Sequence, residues 1–179
     1  MTRPLRVALF STVRLNPYVA LLAEGVRRAA PEISVGEHGR LSLRWCLRES
    51  PAWDIIHLHW AELHYAAGTW PARLRRFAGF LAGLRVARAR GVRLAYTLHN
   101  LEQHEGRHGT LNRWANQALF RWADAVHVHD DSVAEAAKAA GVPAGRLWVV
   151  PHGSYVGCYP NTISPVEARE RLGLRPADF

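Results

Sequence analysis

The chain has 179 residues, of which 49% are hydrophobic and 21% charged, a composition that is typical of one folded domain and excludes a disordered chain. Its net charge is +8 at pH 7, and its two cysteines, Cys46 and Cys158, are too few for a disulfide framework. No apolar run reaches the ~20 residues that a membrane-spanning helix needs. The first apolar run, 5–10, is too short for a signal peptide and lacks a cleavage site, so we expect a cytoplasmic protein.

Strand-like and helix-like patterns alternate along the chain. The predicted strands are residues 5–10, 41–47, 54–60, 93–97, 125–129 and 147–150. The predicted helices are residues 16–30, 71–89, 111–122, 131–140 and 164–172. Strands that alternate with helices form βαβ units, so the sequence predicts an α/β fold with a mostly parallel sheet.

Local signals set several of these bounds. Asn16-Pro17 and Ser164-Pro165 each place a capping residue before a proline at the first helical position. Apolar residues at every second position predict the strand 41–47. Helical spacing predicts that four side chains of the helix 71–89 face the core: Leu74, Phe77, Leu81 and Leu84.

The positive charge is concentrated in one part of the chain. No acidic residue lies between Glu62 and Glu102, and this interval contains Arg73, Arg75, Arg76, Arg85, Arg88, Arg90 and Arg93. A solvated basic face is one interpretation. Apolar residues beside the arginines, namely Phe77, Phe80, Leu81 and Leu84, equally fit peripheral contact with an anionic membrane through Arg73, Arg75, Arg76, Arg85 and Arg88. We expect no nucleic-acid partner, because no recognition motif accompanies the charge.

Polar side chains follow the predicted strands at the points where the strands end. They are Ser11 and Thr12; His57 and His59; Thr97, His99 and Asn100; His127 and His129; and His152. In an open α/β sheet, ligands bind just beyond the carboxyl ends of the strands. The sequence therefore predicts one shared cleft at this edge.

The histidines allow more than one chemistry. Two histidines two residues apart share a face of a strand, and such pairs, with Asp130 and Asp131 nearby, could ligate zinc. The alternative is that they are packed, hydrogen-bonded core residues. A neutral imidazole both donates and accepts a hydrogen bond, which suits His99 to a sugar hydroxyl or to proton transfer near neutral pH. Its alternative role is a structural strand cap.

Four motifs, in this order, resemble the N-terminal half of bacterial retaining glycosyltransferases (glycosyltransferase family 4-like, group 1), which use nucleotide-sugars and have the GT-B fold. They are Asn16-Pro17-Tyr18, Asp54 to Trp60, Thr97 to Asn100 with His104-Glu105, and Pro151-His152-Gly153 with Tyr155. The resemblance implies a Rossmann-like three-layer α/β/α domain, with residues 1–160 on the acceptor side. Residues 161–179 would then be a linker helix leading to a donor-binding domain that this chain lacks.

The resemblance also implies roles for individual residues. His99 corresponds to a catalytic histidine that contacts the donor sugar near the reacting carbon. The expected substrate-binding residues are Asn16, Pro17, Tyr18, His57, His59, Trp60, Asn100, His104, Glu105, His129, His152 and Gly153. The expected partners are a nucleotide-sugar donor and a glycan or lipid-linked acceptor, with no metal or other cofactor. The fragment alone is expected to be inactive. The loop 11–18 lacks the glycine pair of many relatives, which puts a phosphate-binding role of this loop in doubt.

Two other functions remain open from the residues. A zinc-dependent hydrolase would use His57, His59 and a third ligand. A stand-alone sugar- or lipid-binding module would need no second domain.

Overall fold

The computed structural model describes residues 3–99 and 109–175. Its strands are β1 Arg6–Phe10, β2 Ser34–His38, β3 Ile55–His59, β4 Arg93–Thr97, β5 Ala125–Val128 and β6 Leu147–Val149. Its helices are α1 Tyr18–Ala29, α2 Leu43–Arg48, α3 Trp70–Ala89, α4 Gly109–Trp122, α5 Asp131–Ala139 and α6 Pro165–Leu172. Apart from the second strand, these elements match the predicted strands and helices to within a few residues.

The six strands form one parallel sheet in the order β2-β1-β3-β4-β5-β6. The expected parallel α/β sheet is therefore confirmed. Its register matters for function, because His59 lies opposite Thr97 and Thr97 lies opposite His127. Parallel strands in this register bring the polar residues at their carboxyl ends to one edge.

The helices cover the two faces of the sheet unequally. Ala8 and Phe10 of β1 belong to a core cluster with buried residues of α2, α3, α4 and α5, whereas Leu9 packs with Tyr18 and Val19 of α1 on the opposite face. Right-handed crossovers explain this division. The connection from β1 to β2, which contains α1, moves across the sheet in the opposite direction to the later connections, so α1 lies on the opposite face. The expected three-layer, Rossmann-like arrangement is thus confirmed, and α1 packs on the face opposite to α2, α3, α4 and α5.

The strand predicted at 41–47 is wrong, because this segment contains the helix α2. The Ser42 side chain caps it by accepting a hydrogen bond from the Trp45 amide at 3.2 Å. Helical geometry buries Cys46 against α3 and leaves the apolar side chain of Leu47 49% exposed. The second strand is instead Ser34–His38, an edge strand that pairs only with β1 and needs little apolar surface.

The predicted core face of α3 is partly wrong. Phe77 and Leu84 are buried as expected, and Phe80 is buried with them, but the Leu74 side chain is 40% exposed. The apolar residues that suggested a membrane-facing surface thus face largely inward. No helix in the described ranges is long and apolar enough to cross a bilayer.

The last helix follows its sequence signals closely. The Ser164 side chain accepts a hydrogen bond from the Glu167 amide at 3.2 Å, and Gly173 ends α6 in the left-handed conformation with φ of 67°. No residue of α6 is buried, and Val166 and Leu172 are 67% and 72% exposed.

Candidate functional site

Six histidines converge at the carboxyl ends of β3, β4, β5 and β6, and we call them the histidine cluster. They are His57, His59, His99, His127, His129 and His152. Adjacent rings in this set have centroids 4.4 to 5.6 Å apart. The predicted shared edge of polar strand ends is therefore present in the structure.

Tyr18, in the first turn of α1, lies at the centre of the cluster. Its ring centroid is 5.0 Å from those of His99 and His152, and 5.6 and 5.4 Å from those of His59 and His129. Burial raises the pKa of Tyr18 to about 12, so its hydroxyl stays protonated at neutral pH. The neutral side chain of Tyr18 thus packs between α1 and the histidines at the carboxyl ends of the strands.

A first chain of hydrogen bonds runs across the sheet from His57 to the Val150 carbonyl. His57 Nε2 lies 2.8 Å from Thr97 Oγ1, which lies 3.2 Å from His127 Nδ1. His127 Nε2 lies 3.0 Å from the Val150 carbonyl oxygen. A carbonyl only accepts, so His127 Nε2 donates to it, its Nδ1 accepts from Thr97, and Thr97 accepts from His57.

A second chain ends on the same carbonyl oxygen. His129 Nδ1 lies 3.2 Å from the Val150 oxygen, and His129 Nε2 lies 3.4 Å from His99 Nδ1. His99 Nε2 lies 3.4 Å from Nδ1 of His59, whose Nε2 is buried without a hydrogen-bond partner. A buried orphan donor is rarer than a buried orphan acceptor, so the proton of His59 belongs on Nδ1. Both chains end on the Val150 carbonyl oxygen, and the hydrogen bonds to its two lone pairs therefore determine the tautomers of the histidines in both chains.

The buried members of the cluster are neutral at physiological pH. Burial, followed by the proximity of His127, lowers the pKa of His57 to about 3. Burial, followed by the proximity of His129, lowers the pKa of His99 to about 3. Burial also holds the pKa of His59 well below its usual value. These shifts favour hydrogen bonding by His99 over the proton transfer near neutral pH that its residue type suggested.

Trp60 packs against the ring of His99. The two rings are stacked, with centroids 4.0 Å apart and planes 5° apart. Trp60 has φ of 47° and is the only non-glycine residue with positive φ in the described parts of the chain. Such a conformation costs about 1–3 kcal/mol, and strained residues of this kind concentrate at functional sites.

The loop before α1 and the segment after β6 close the cluster at one end. Asn16 Oδ1 accepts hydrogen bonds from the Tyr18 amide at 2.9 Å and from the Tyr155 hydroxyl at 2.7 Å. The Tyr155 hydroxyl also lies 3.1 Å from Nε2 of His152. Residues 139 apart in the sequence thus form one wall.

The structure brings most of the predicted site residues together. Tyr18, Trp60 and the histidine cluster form its centre, and Asn16, Pro17 and Gly153 lie at its border. His59 is fully buried, and its Nδ1 lies 3.4 Å from Nε2 of His99. Asn100, His104 and Glu105 lie outside the described residues.

Two groups that organise the site were not among the predicted site residues. The Val150 carbonyl ends both hydrogen-bond chains, and Tyr155 links the loop before α1 to the segment after β6. Thr97, at the centre of the first chain, was among the polar strand ends that predicted the cleft. A backbone carbonyl carries no residue-specific signal, and the partner of Tyr155 is distant in sequence.

The zinc-dependent alternative lacks a ligand set in the part of the chain that the structure describes. Within residues 3–99 and 109–175, no group of three or more histidine, cysteine or acidic side chains is arranged to hold a metal ion. His57 points its Nε2 at Thr97 Oγ1. Asp130, expected nearby, caps α5 by accepting a hydrogen bond from the Val133 amide at 2.9 Å.

An apolar groove of about 430 Å³ opens beside the cluster, between α1 and the segment 150–155. Tyr18, Leu22 and Val26 form one wall, and Val150 and Tyr155 form the other. Leu22 and Val26 line this groove and are only partly buried.

Two arginines of α3 lie beside α4, away from the histidine cluster. Arg85 and Arg88 line a cavity of about 660 Å³ with Trp114, Arg121 and Trp122 of α4. Arg85 and Arg88 precede β4 in the chain, and Arg121 and Trp122 precede β5, so this end of the cavity lies near the amino edge of the sheet, opposite the histidine cluster.

Comparisons with known proteins agree with this picture. Residues 75–154 match the family model of Glycosyltransferase Family 4. The fold matches crystal structures of HepE from Anabaena in complex with UDP and glucose (TM-score 0.58, 15% identity), with UDP (0.56, 15%) and with UDP-glucose (0.55, 16%). Each match covers 94% of this chain and 50% of HepE, so this chain spans about half the length of that protein. No curated protein matches the chain by sequence.

Proposed function

We propose that this chain, which is a glycosyltransferase family 4-like domain, supplies the acceptor-side half of an enzyme that transfers a sugar from a nucleotide diphosphate to an acceptor hydroxyl. The observation that carries the proposal is the histidine cluster at the carboxyl edge of the parallel sheet. The partly exposed ring of His99 presents a neutral hydrogen-bonding group, which suits a sugar hydroxyl. HepE, whose fold is similar, was crystallised with UDP and UDP-glucose.

The neutral, buried imidazoles of the cluster imply that a second domain supplies the positive charge of the active site. A nucleotide diphosphate carries negative charge, whereas the buried imidazoles of this cluster remain uncharged at neutral pH. Stabilisation of the diphosphate therefore belongs to a second domain that faces this edge across a cleft. Residues 1–160 form the acceptor-side domain in this proposal, and 161–179 form the linker. The exposed apolar residues of α6 fit a helix that packs against such a domain.

His99 is the proposed contact to the donor sugar. The Trp60 stack and the hydrogen bond to His129 hold its ring. Within residues 3–99 and 109–175, the hydrogen-bond partner of its Nε2 is Nδ1 of His59, at a long distance of 3.4 Å. A sugar hydroxyl that donates to this Nε2 would replace a weak interaction with a stronger one. We assign His99 to orientation of the sugar.

Retention of configuration is part of the proposal. In such a transfer the bond between the anomeric carbon and the phosphate oxygen breaks, and the acceptor oxygen bonds to the same face. The acceptor proton passes to the departing diphosphate.

The test joins this chain to the coding sequence that follows it in its gene and measures transfer from UDP-sugars. We expect activity only with the longer protein. His99→Ala should lower kcat about 100-fold, the effect of removing one oriented hydrogen-bonding group from an active site. Unchanged transfer by this variant would exclude the assigned role of His99, and stoichiometric zinc in the purified protein would favour a hydrolase instead.

The acceptor and the membrane are further parts of the proposal. The apolar groove beside Tyr18 favours an acceptor with an apolar portion, such as a lipid-linked glycan. Peripheral contact with an anionic membrane would use the arginine-rich surface of α3, and a cytoplasmic location remains a prediction. A stand-alone binding module would use the same groove but would bind its ligand without any second domain.

A further inference from the structure

A second polar cavity lies at the carboxyl ends of β1 and β2, on the other side of the Asn16-Pro17-Tyr18 wall. Its volume is about 470 Å³, and it lies between the loop after β1 and residues 37–40. Ser11, Thr12, Arg14 and Arg40 are among the residues that line it. We call it the β1–β2 pocket.

The β1–β2 pocket carries positive charge that no acid neutralises. Arg14 and Arg40 are both exposed, and within residues 3–99 and 109–175 neither forms an ion pair or a side-chain hydrogen bond. Glu37 is the only acidic residue in the lining, and its carboxylate is paired with Arg27, which does not line the pocket, at 3.1 Å. Two guanidinium groups therefore face the space with their donors available.

The first turn of α1 adds to this field. Val19 and Ala20 line the pocket, and their amides belong to the N-terminal turn of a helix whose first turn holds no acidic residue. Such amides have no intrahelical acceptor, and the helix dipole favours negative charge beside them. Amides and arginines together supply several donors suited to phosphate or carboxylate oxygens.

The pocket is coupled to the histidine cluster by a shared wall. Asn16 lines the pocket, and its Oδ1 accepts hydrogen bonds from the Tyr18 amide and the Tyr155 hydroxyl at the border of the cluster. Asn16 is therefore common to the lining of the pocket and to the border of the histidine cluster.

We infer that the β1–β2 pocket binds the anionic group of the acceptor, so that the acceptor is an acidic or phosphorylated sugar with its reacting hydroxyl at the histidine cluster. This inference rests on the proposed function for the meaning of "acceptor". The anion binding itself does not depend on that function. Phosphate and carboxylate share the chemistry that Arg14 and Arg40 recognise.

Titration of the 179-residue chain, followed by amide NMR at constant ionic strength, tests the inference. The probes are inorganic phosphate, glucose 6-phosphate, glucuronate and glucose. We expect saturable shifts at residues 11–20 and 37–40 with the anions and none with glucose. Tighter binding of glucose 6-phosphate than of glucuronate would assign a phosphorylated acceptor, and the reverse order an acidic sugar.

Matched variants locate the binding. Arg14→Gln and Arg40→Gln should each weaken anion binding about tenfold or more, as expected for loss of a charged hydrogen bond. Arg48→Gln removes an exposed arginine of α2 outside the pocket and should leave the affinity unchanged. No saturable anion binding, equal shifts with glucose, or equal weakening by Arg48→Gln would overturn the inference.

Transfer assays on the longer protein separate this inference from the proposed function. Transfer to neutral acceptors that is insensitive to Arg14→Gln would overturn the inference and leave the proposed function intact. Anion binding by the chain together with an absence of transfer to any acceptor would support the pocket and contradict the proposed function.

Discussion

The indole of Trp60 is stacked on the imidazole of His99, with the ring centroids 4.0 Å apart and the planes 5° apart. To reach this position, Trp60 adopts a left-handed backbone conformation directly after β3, with φ of 47°. The backbone of Trp60 is therefore strained at the position where its indole stacks on the His99 ring.

Trp60→Gly should be more stable than Trp60→Ala by about 1 kcal/mol, although both variants lose the indole. The left-handed conformation costs an alanine about 1–2 kcal/mol more than a glycine. Urea unfolding of the two variants measures the difference directly. An alanine variant as stable as the glycine variant would show that Trp60 carries no backbone strain.

The same stack also predicts an effect of Trp60 substitutions on the transfer rate, which is separate from their effect on stability. In the longer protein, Trp60→Phe should retain most of the transfer rate because a phenyl ring still stacks on His99. Trp60→Gly should lower kcat about tenfold, since a free imidazole samples several orientations. Equal rates for both variants would contradict a positioning role for Trp60.

The hydrogen-bond chains predict the tautomer of each ring. His57 and His127 should carry their protons on Nε2, and His59, His99 and His129 on Nδ1, because both chains end on the Val150 carbonyl. Long-range ¹H–¹⁵N correlation spectra of the imidazoles at pH 7.5 report these states. Protonation of His129 on Nε2 would break the second chain and remove the proposed orientation of His99.

Thr97→Val should destabilise the domain by about 2 kcal/mol. The valine has nearly the same shape, but it leaves the His57 Nε2–H and the His127 Nδ1 without their shared partner, and unpaired buried polar groups cost about 1–3 kcal/mol. Thr97→Ser retains the hydroxyl and serves as the control in chemical unfolding. A serine variant as unstable as the valine variant would attribute the loss to packing.

Stability should fall as the pH decreases from about 6.5 toward 3. In the unfolded chain, histidines bind a proton near pH 6.5, whereas burial lowers the pKa of both His57 and His99 to about 3 in the folded chain. The unfolded state therefore binds more protons in this window, and each histidine costs roughly 1.4 kcal/mol per pH unit. Above pH 6.5 both states are neutral and this contribution vanishes.

Urea unfolding at pH 7.5, 6.0 and 5.0 measures this dependence. His57→Gln should reduce the slope by the share of one histidine. His152→Gln is the comparison, because His152 is exposed at the edge of the cluster. A slope unchanged by His57→Gln would show that the pKa of His57 is not lowered in the folded chain.

The arginine-rich cavity between α3 and α4 predicts salt-sensitive binding to anionic vesicles. Arg85→Gln and Arg121→Gln should each reduce cosedimentation with phosphatidylglycerol-containing vesicles about fivefold, since a basic residue near such a surface contributes about 1 kcal/mol. Arg88 is a poor choice for this test, because it is paired with Asp124 at 3.0 Å. Arg48→Gln is the control, and binding equal to that of phosphatidylcholine vesicles would exclude the membrane contact.

Local patterns of the sequence determined the element types and the polar strand ends. Period-two spacing put His57 and His59 on one face of β3, and the Ser164 cap with Gly173 bounded α6 to within a residue. These features depend on backbone sterics and near neighbours, so they are visible in a single chain. The strand prediction for 41–47 was wrong because the Ser42 cap favours a helix, although four apolar residues alternate with polar ones in this segment.

Only the tertiary structure decided what surrounds His99. The strand register set His59, Thr97 and His127 side by side, and the crossover to β2 laid α1 over the sheet with Tyr18 among the imidazoles. The Val150 carbonyl, which orders every proton in the two chains, belongs to the backbone and has no signature in the sequence. Side-chain chemistry was legible from the residues, but hydrogen-bond direction and pKa depend on burial and on partners that the fold brings from distant parts of the chain.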